Sequence, residues 1–143
     1  MKFGEKLAKL RAEKSLKQSE VAEAVGISRR NYISYETEGR YPRNREIYYK
    51  LAGVFGCDVN YLLTEDEEFI ARAGEEYGEG GYKDAEKLVS QLIGLFAGGE
   101  LSEEDRDAVM RALTEAYFEC KAENKKYAPK KSRKSKNEEG DGG

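Results

Sequence analysis

An all-α fold is what this sequence predicts, on three observations. Apolar residues recur at spacings of three and four, which gathers them on one face of a 3.6-residue helix. Glycines stand where those patterns stop, and serine or aspartate where they start, the residue types that end and cap helices. The periodic runs are joined by short connections in the first 64 residues, and two longer runs follow.

The first helix is expected over about 3–14, with Phe3, Leu7 and Leu10 on one face; Ser15 and Leu16 interrupt it. "KQSEVAEAV" reads as a second helix with Val21, Ala22 and Val25 inward, stopped at Gly26, a residue that tolerates the left-handed conformation. Ser28 is placed to cap a third helix, because its hydroxyl can satisfy an orphan backbone N–H. That helix buries Tyr32 and Tyr35 and ends near Gly39. Pro42 disfavours helix at Tyr41, so "RYPRN" is a connection. A fourth helix runs from Arg45 to Phe55, with Ile47, Tyr48, Leu51 and Phe55 inward and Gly56 ending it. A short fifth, "DVNYLL", is capped by Asp58.

Residues 1–64 therefore form one domain, and 65–82 an acidic linker, partly helical, with "GEGG" as a flexible break. Its acidity reads as a solvated face. Residues 83–124 read as a helical hairpin. Its first arm carries Ala85, Leu88, Val89, Leu92, Ile93, Leu95 and Phe96. After a double-glycine stop and a Ser102 cap, its second carries Val109, Leu113, Ala116, Tyr117 and Cys120. Two such helices cannot bury an adequate core alone. Their apolar faces need either the first domain or the same hairpin of another subunit, and a homodimer through 83–124 is the expected arrangement. The remainder, 125–143, is a basic then acidic tail without apolar content from Pro129 onward, expected to be disordered.

Composition narrows the function. The chain has 143 residues and a net charge of −3, but the balance is +4 over 1–64, −11 over 65–120 and +4 over 121–143. An acidic whole therefore leaves a nucleic-acid partner open for the first segment. There is no histidine, and Cys57 and Cys120 stand far apart, which argues against a zinc site or a cysteine–histidine pair. Both cysteines read as small core residues in a reducing cytoplasm. No phosphate-cradling glycine loop is present, and the adjacent acids Glu103, Glu104 and Asp105 are explained by the dipole of the helix they open. No enzyme, cofactor or membrane span is expected.

A short helix, a glycine turn and a second helix that opens on "SRRN" make a helix-turn-helix, whose second helix lies in the DNA major groove with its first residues at the base edges. Tyr32 and Tyr35 point inward at helical spacing. Arg29, Arg30, Ile33, Ser34 and Thr37 point away, a face suited to pairing with guanine and touching thymine methyls. Residues from about Leu7 to Leu63 resemble the Cro/CI-like, or XRE-type, helix-turn-helix family. The resemblance is carried by Leu10-Arg11, Leu16-Lys17-Gln18-Ser19-Glu20-Val21-Ala22, Gly26-Ile27-Ser28, Glu36, Pro42 and Leu62-Leu63.

The resemblance implies a five-helix lambda-repressor-like DNA-binding domain ahead of the C-terminal helical hairpin. It places Ser28, Arg29, Arg30, Asn31, Ile33 and Ser34 on the base-reading edge. It assigns phosphate contacts to Gln18, Thr37, Arg40 and Arg43, with Gln18 also bracing the start of the recognition helix. Arg11 and Glu36 match a structural ion pair. One departure stands out: the family's glycine two residues after the glutamate is Glu38 here, with Gly39 following, so the loop that carries Arg40 is expected to differ. The implied function is a cytoplasmic, sequence-specific regulator of transcription, a repressor that binds a palindromic operator as a dimer. The acidic middle and hairpin would also offer a surface read by a protein regulator or protease. An antitoxin-like or adaptor role, holding a protein partner, stays open as the alternative. The basic run "KKSRKSK" is either a phosphate-tracking tail or a solubilising end.

Overall fold

The computed structural model describes residues 1–99 and 101–127, and every regular element among them is a helix. They are α1 (Phe3–Glu13), α2 (Gln18–Val25), α3 (Arg29–Thr37), α4 (Arg45–Phe55), α5 (Val59–Leu62), α6 (Glu65–Leu95) and α7 (Glu103–Tyr127). The chain divides into two compact units, Met1–Glu104 and Asp105–Gly143. Of the tail expected to be disordered, 125–143, the first three residues continue α7, and the rest falls outside the described residues.

Local chemistry sets the first five helices where their caps lie. Ser28 Oγ accepts from Asn31 N–H at 3.1 Å, Asn44 Oδ1 from Ile47 N–H at 3.3 Å and Asp58 Oδ1 from Asn60 N–H at 2.8 Å. Gly26 and Gly56 take the left-handed conformation, and the next N–H reaches back to Ala22 O and Ala52 O respectively, satisfying carbonyls the helix end would orphan.

The core of the first unit combines a cluster of aromatic rings with aliphatic side chains. Phe3 stacks on Tyr41 (centroids 5.5 Å apart, planes 20° apart) and meets Tyr48 at 5.4 Å, while Tyr32 and Tyr35 lie edge to face. Leu7, Val21, Val25, Leu51, Phe55 and Leu62 fill the rest. Burying each such side chain stabilises by roughly 1.5–3 kcal/mol. α1 crosses the end of α3 at Gly4, where an added Cβ would stand 2.6 Å from Tyr35 O and 2.7 Å from Glu36 O.

Beyond α5 the structure departs from the expected linker. Residues 65–82 are helical apart from Gly78, whose φ of 70° and ψ of −155° put a kink inside α6. Glycine is needed there because this region of backbone space is closed to side chains. The break falls at "GEGG" as anticipated, but it is a single-residue corner. Gly81 then lies so close to Ala73 that a Cβ would stand 2.5 Å from its carbonyl oxygen. Phe69, Ile70, Ala71 and Ala73 are buried, so the first half of α6 contributes to the core. Its acids are only in part the solvated face expected: Glu75, Glu76 and Glu79 are exposed, but others are not. Glu67 is buried and accepts from Thr64 N–H at 2.8 Å in a capping box, and Glu68 and Glu75 bind Arg45.

Several finer expectations need correction. Of the tyrosines that the sequence assigns to the core or its rim, Tyr49 is instead exposed on α4, whereas Tyr61 does sit at the rim under Lys6, whose Nζ lies 4.8 Å from its ring. Leu95 is 78% exposed, outside the stripe that buries Ala85 and Val89. On α7, Met110 and Phe118 are the buried residues, while Ala116 and Cys120 are exposed. Cys57 is half-buried, so neither thiol is a core residue.

Gly4→Ala is expected to destabilise the protein by about 1–3 kcal/mol, because the α1–α3 crossing must open. Gly53→Ala, inside α4 with nothing within 4 Å of its added Cβ, is expected to stabilise by roughly 0.5–1 kcal/mol through helix propensity. Paired urea titrations check both signs.

Candidate functional site

Glu36 sits in the last turn of α3 with its side chain only 3% exposed. A carboxylate so placed needs donors around it, and three helices supply them. Arg11 of α1 is bidentate, Nε to Oε2 at 2.7 Å and Nη2 to Oε1 at 3.0 Å. Gln18, the first residue of α2, gives Nε2 to Oε1 at 3.1 Å, and Tyr32 donates its hydroxyl to Oε2. Arg11 Nη1 also holds Leu16 O at 3.0 Å. Burial alone pushes the Glu36 carboxyl up, but the bonds from Arg11, Tyr32 and Gln18 outweigh it and hold it below the usual carboxylate range. Burial and the bond to Glu36 push the Tyr32 hydroxyl far above its ordinary value.

The pair matched to Arg11 and Glu36 is therefore present as two parallel bonds. Gln18 is placed differently from the expectation: it braces the end of the recognition helix, not its start, and its amide N–H is turned inward. One of its two amide N–H groups is so engaged, which leaves the second N–H, a donor, and the carbonyl, an acceptor.

With α3 held at one end by Glu36 and along its inner face by buried Tyr32 and Tyr35, the opposite face is fixed outward. Arg29, Arg30 and Asn31 are exposed in its first turn, and Ile33 and Ser34 are half-buried at its centre. No acid lies in that first turn. Ser34 Oγ donates to Asn31 O at 2.6 Å and Thr37 Oγ1 to Ile33 O at 3.0 Å, so both hydroxyls retain only acceptor capacity outward.

The arginines of residues 1–99 fall into two classes. Arg11, Arg40, Arg43, Arg45 and Arg72 each pair with a carboxylate, whereas Arg29 and Arg30 have no ion pair among the described residues. The loop after α3 is organised by α6. Gly39 takes the left-handed conformation (φ 70°) one residue beyond the place the family pattern sets, and Arg40 N–H returns to Ser34 O. Arg40 Nε binds Glu86 at 3.1 Å, and Arg43 pairs with Glu79. Both guanidinium groups lie against the ring of Tyr82, at 5.7 and 5.4 Å. Thr37, Arg40 and Arg43 are exposed to differing degrees, and the two arginines reach solvent already paired.

Sequence reasoning missed this set of α6 carboxylates. Its signal was a −11 segment lying downstream of the basic connection "RYPRNR". Among the described residues no cluster of histidine, cysteine, aspartate or glutamate could hold a metal ion, and no helix is long and apolar enough to cross a membrane.

A family model described as a helix-turn-helix domain matches residues 4–68. The immunity repressor protein of Bacillus phage phi105 is 29% identical over 141 residues, covering 93% of this chain and 96% of the relative. The ImmF control region 10 kDa protein of the same phage is 32% identical over 79 residues, 55% of this chain and 87% of the relative. The cryptic phage CTXphi transcriptional repressor RstR of Vibrio cholerae is 34% identical over 68 residues, 48% of this chain and 60% of that one. No solved structure matches the chain significantly. The first likeness runs through α6 and α7 and so is not confined to the helix-turn-helix.

Arg11→Met is expected to cost about 3–5 kcal/mol, since it strands a buried carboxylate. Glu36→Gln should cost less, because Arg11 is 23% exposed and can rehydrate. Glu36 titrates lower folded than unfolded, so its stabilisation is full above its unfolded pKa and is lost as pH falls through the folded value. Urea titrations from pH 7 to pH 3 should show a shallower acid decline for Glu36→Gln than for the parent protein.

Proposed function

Because the chain belongs to the Cro/CI-like, or XRE-type, helix-turn-helix transcriptional regulators, we propose that it is a repressor that reads a palindromic operator as a homodimer. The observation that carries this reading is the division of its arginines. Among the described residues, Arg11, Arg40, Arg43, Arg45 and Arg72 carry carboxylate partners, and the two arginines that open α3 do not. An unpaired guanidinium keeps its fork of donors for a base edge, where Arg pairs with guanine O6 and N7. Ser28, Arg29, Arg30, Asn31, Ile33 and Ser34 make up the base-reading edge. Thr37, Arg40 and Arg43 hold the phosphate backbone beyond it, and Gln18 offers a phosphate its second amide N–H while the first stays on Glu36. Phosphate contacts set the register and base contacts specify the site.

Two copies would place their α3 helices in successive major grooves, about 34 Å apart, with the segment 83–124 joining the subunits. Leu95, 78% exposed beside half-buried Leu92 and Phe96, is the apolar feature that favours this segment. Repression follows from occupancy, since a promoter covered by the dimer excludes polymerase. The relatives named as repressors support the sign of regulation.

Selection of binding sites from a random duplex pool with the full-length chain is the test. An enriched inverted repeat is expected. Recovery of nothing would overturn the reading in favour of a protein-holding adaptor. Arg29→Ala and Arg30→Ala should each cost roughly 1–3 kcal/mol on the selected site and relax preference at one position per half-site. In sedimentation, the parent chain should run as a dimer and Leu95→Glu should shift it toward monomer; an unshifted dimer would place the interface elsewhere.

A further inference from the structure

The geometry points to Tyr82 and Glu86 of α6 as positioning residues for DNA binding, acting through the loop that follows the recognition helix. This rests on the proposed contact of Arg40 with the DNA backbone. The helix-turn-helix match ends at residue 68, so both residues lie outside the part of the chain it covers.

The Tyr41 peptide is gripped on both sides by α6. Glu86 Oε2 accepts from Tyr41 N–H at 3.0 Å, and the Tyr82 hydroxyl donates to Tyr41 O at 2.6 Å. The same two side chains hold Arg40: Glu86 accepts from Nε at 3.1 Å, and the Tyr82 oxygen accepts from Nη2 at 3.3 Å. Glu86 has a side chain 14% exposed and Tyr82 is 3% exposed, so the grip is an inner one, while Arg40 is 45% exposed. Guanidinium carries five N–H donors. Two are engaged here, and three remain for an oxygen approaching from solvent.

Loop position is set further along the chain as well. Gly74 of α6 lies under the loop so closely that a Cβ would stand 2.8 Å from Arg43 O. Arg45 N–H, at the start of α4, is held by Glu75 at 3.1 Å. A loop fixed at Tyr41, Arg43 and Arg45 keeps Arg40 in one orientation before DNA arrives. A phosphate contact then forms without ordering a long side chain, the usual cost of such contacts. Glu79 differs from Glu86. It is 42% exposed and pairs with Arg43, itself 63% exposed, so that pair is a surface one that yields to a phosphate.

The test uses the full-length chain and removes the grip with little change of shape, as Tyr82→Phe combined with Glu86→Gln. The duplex is the selected site, or a fixed mixed-sequence duplex if selection enriches none, since phosphate contacts are sequence-independent. Affinity is read by fluorescence anisotropy over a range of salt concentrations. The double variant is expected to bind about threefold to tenfold more weakly. Arg40→Ala should lower the salt slope by about 1. In the Arg40→Ala background the double substitution should have no further effect, the non-additivity of groups that act through one another.

A loss that persists undiminished in that background would overturn the inference, because it would reflect the fold and not Arg40. Unchanged affinity would overturn it too. Tighter binding would overturn it by making Glu86 a competitor of phosphate. If the parent chain binds neither duplex, the DNA-binding reading itself fails, an outcome distinct from all of these.

Discussion

A buried carboxylate fixes the frame on which everything else stands. Glu36 is satisfied only while α1, α2 and α3 keep their mutual angles, since its donors come from Arg11, Gln18 and its own helix neighbour Tyr32. Apolar packing is tolerant of small rotations, and α3 has just two buried anchors, Tyr32 and Tyr35. Directional bonds to one point are not tolerant. Replacing such a network with hydrocarbon can leave stability unchanged or raise it. What the network contributes here is orientation: the recognition helix can be turned about its axis only by breaking charge-assisted bonds in a dry place, where unpaired charge is costly.

The sixth helix extends that logic to the loop. Its apolar residues Phe69, Ile70, Ala71 and Ala73 supply the larger energy of docking, and its carboxylates supply register. Exposed ion pairs contribute on the order of 0–1 kcal/mol each. The pairs of Arg40, Arg43 and Arg45 matter because they share one helix and one short loop, with Tyr82 between the first two. Gly78 makes the arrangement possible. A straight α6 would carry Tyr82 and Glu86 away from the loop that its first half reaches through Gly74, whereas the corner brings Gly81 back onto Ala73.

What the sequence made legible follows the range of the interaction concerned. Caps act over three residues and helix faces over four, so Ser28, Gly26, Gly56, Asp58 and the inward pattern of α1 to α5 were readable. The Arg11–Glu36 pair was readable too, but only through resemblance. Partners 30 to 46 residues apart leave no periodic trace: Arg45 with Glu75, Arg40 with Glu86, Tyr41 with Tyr82. Gln18 is of the same kind: the resemblance set it at the start of the recognition helix, and its acceptor Glu36, 18 residues downstream, lies beyond any local pattern. On α7 the stripe read through Ala116 and Cys120 passed over Phe118, which lies on another face and is the residue buried there.

Arginine chemistry is constant along the chain, so the difference between Arg30 and Arg40 is entirely one of surroundings. A phosphate presents the same oxygens wherever the protein lands, and a contact to it gains from being rigid beforehand. A base edge differs from site to site, and a reader of bases must be free to adopt the geometry of the right pair while leaving a wrong pair unmet. Rotamer entropy of roughly 2 kcal/mol for an arginine is then lost only where a contact compensates for it. On the proposed reading, the exposed arginines at the head of α3 would discriminate and the carboxylate-paired ones behind it would anchor. The carboxylates of α6 would set that division, since they pair with Arg40 and Arg43 and none of them pairs with Arg29 or Arg30.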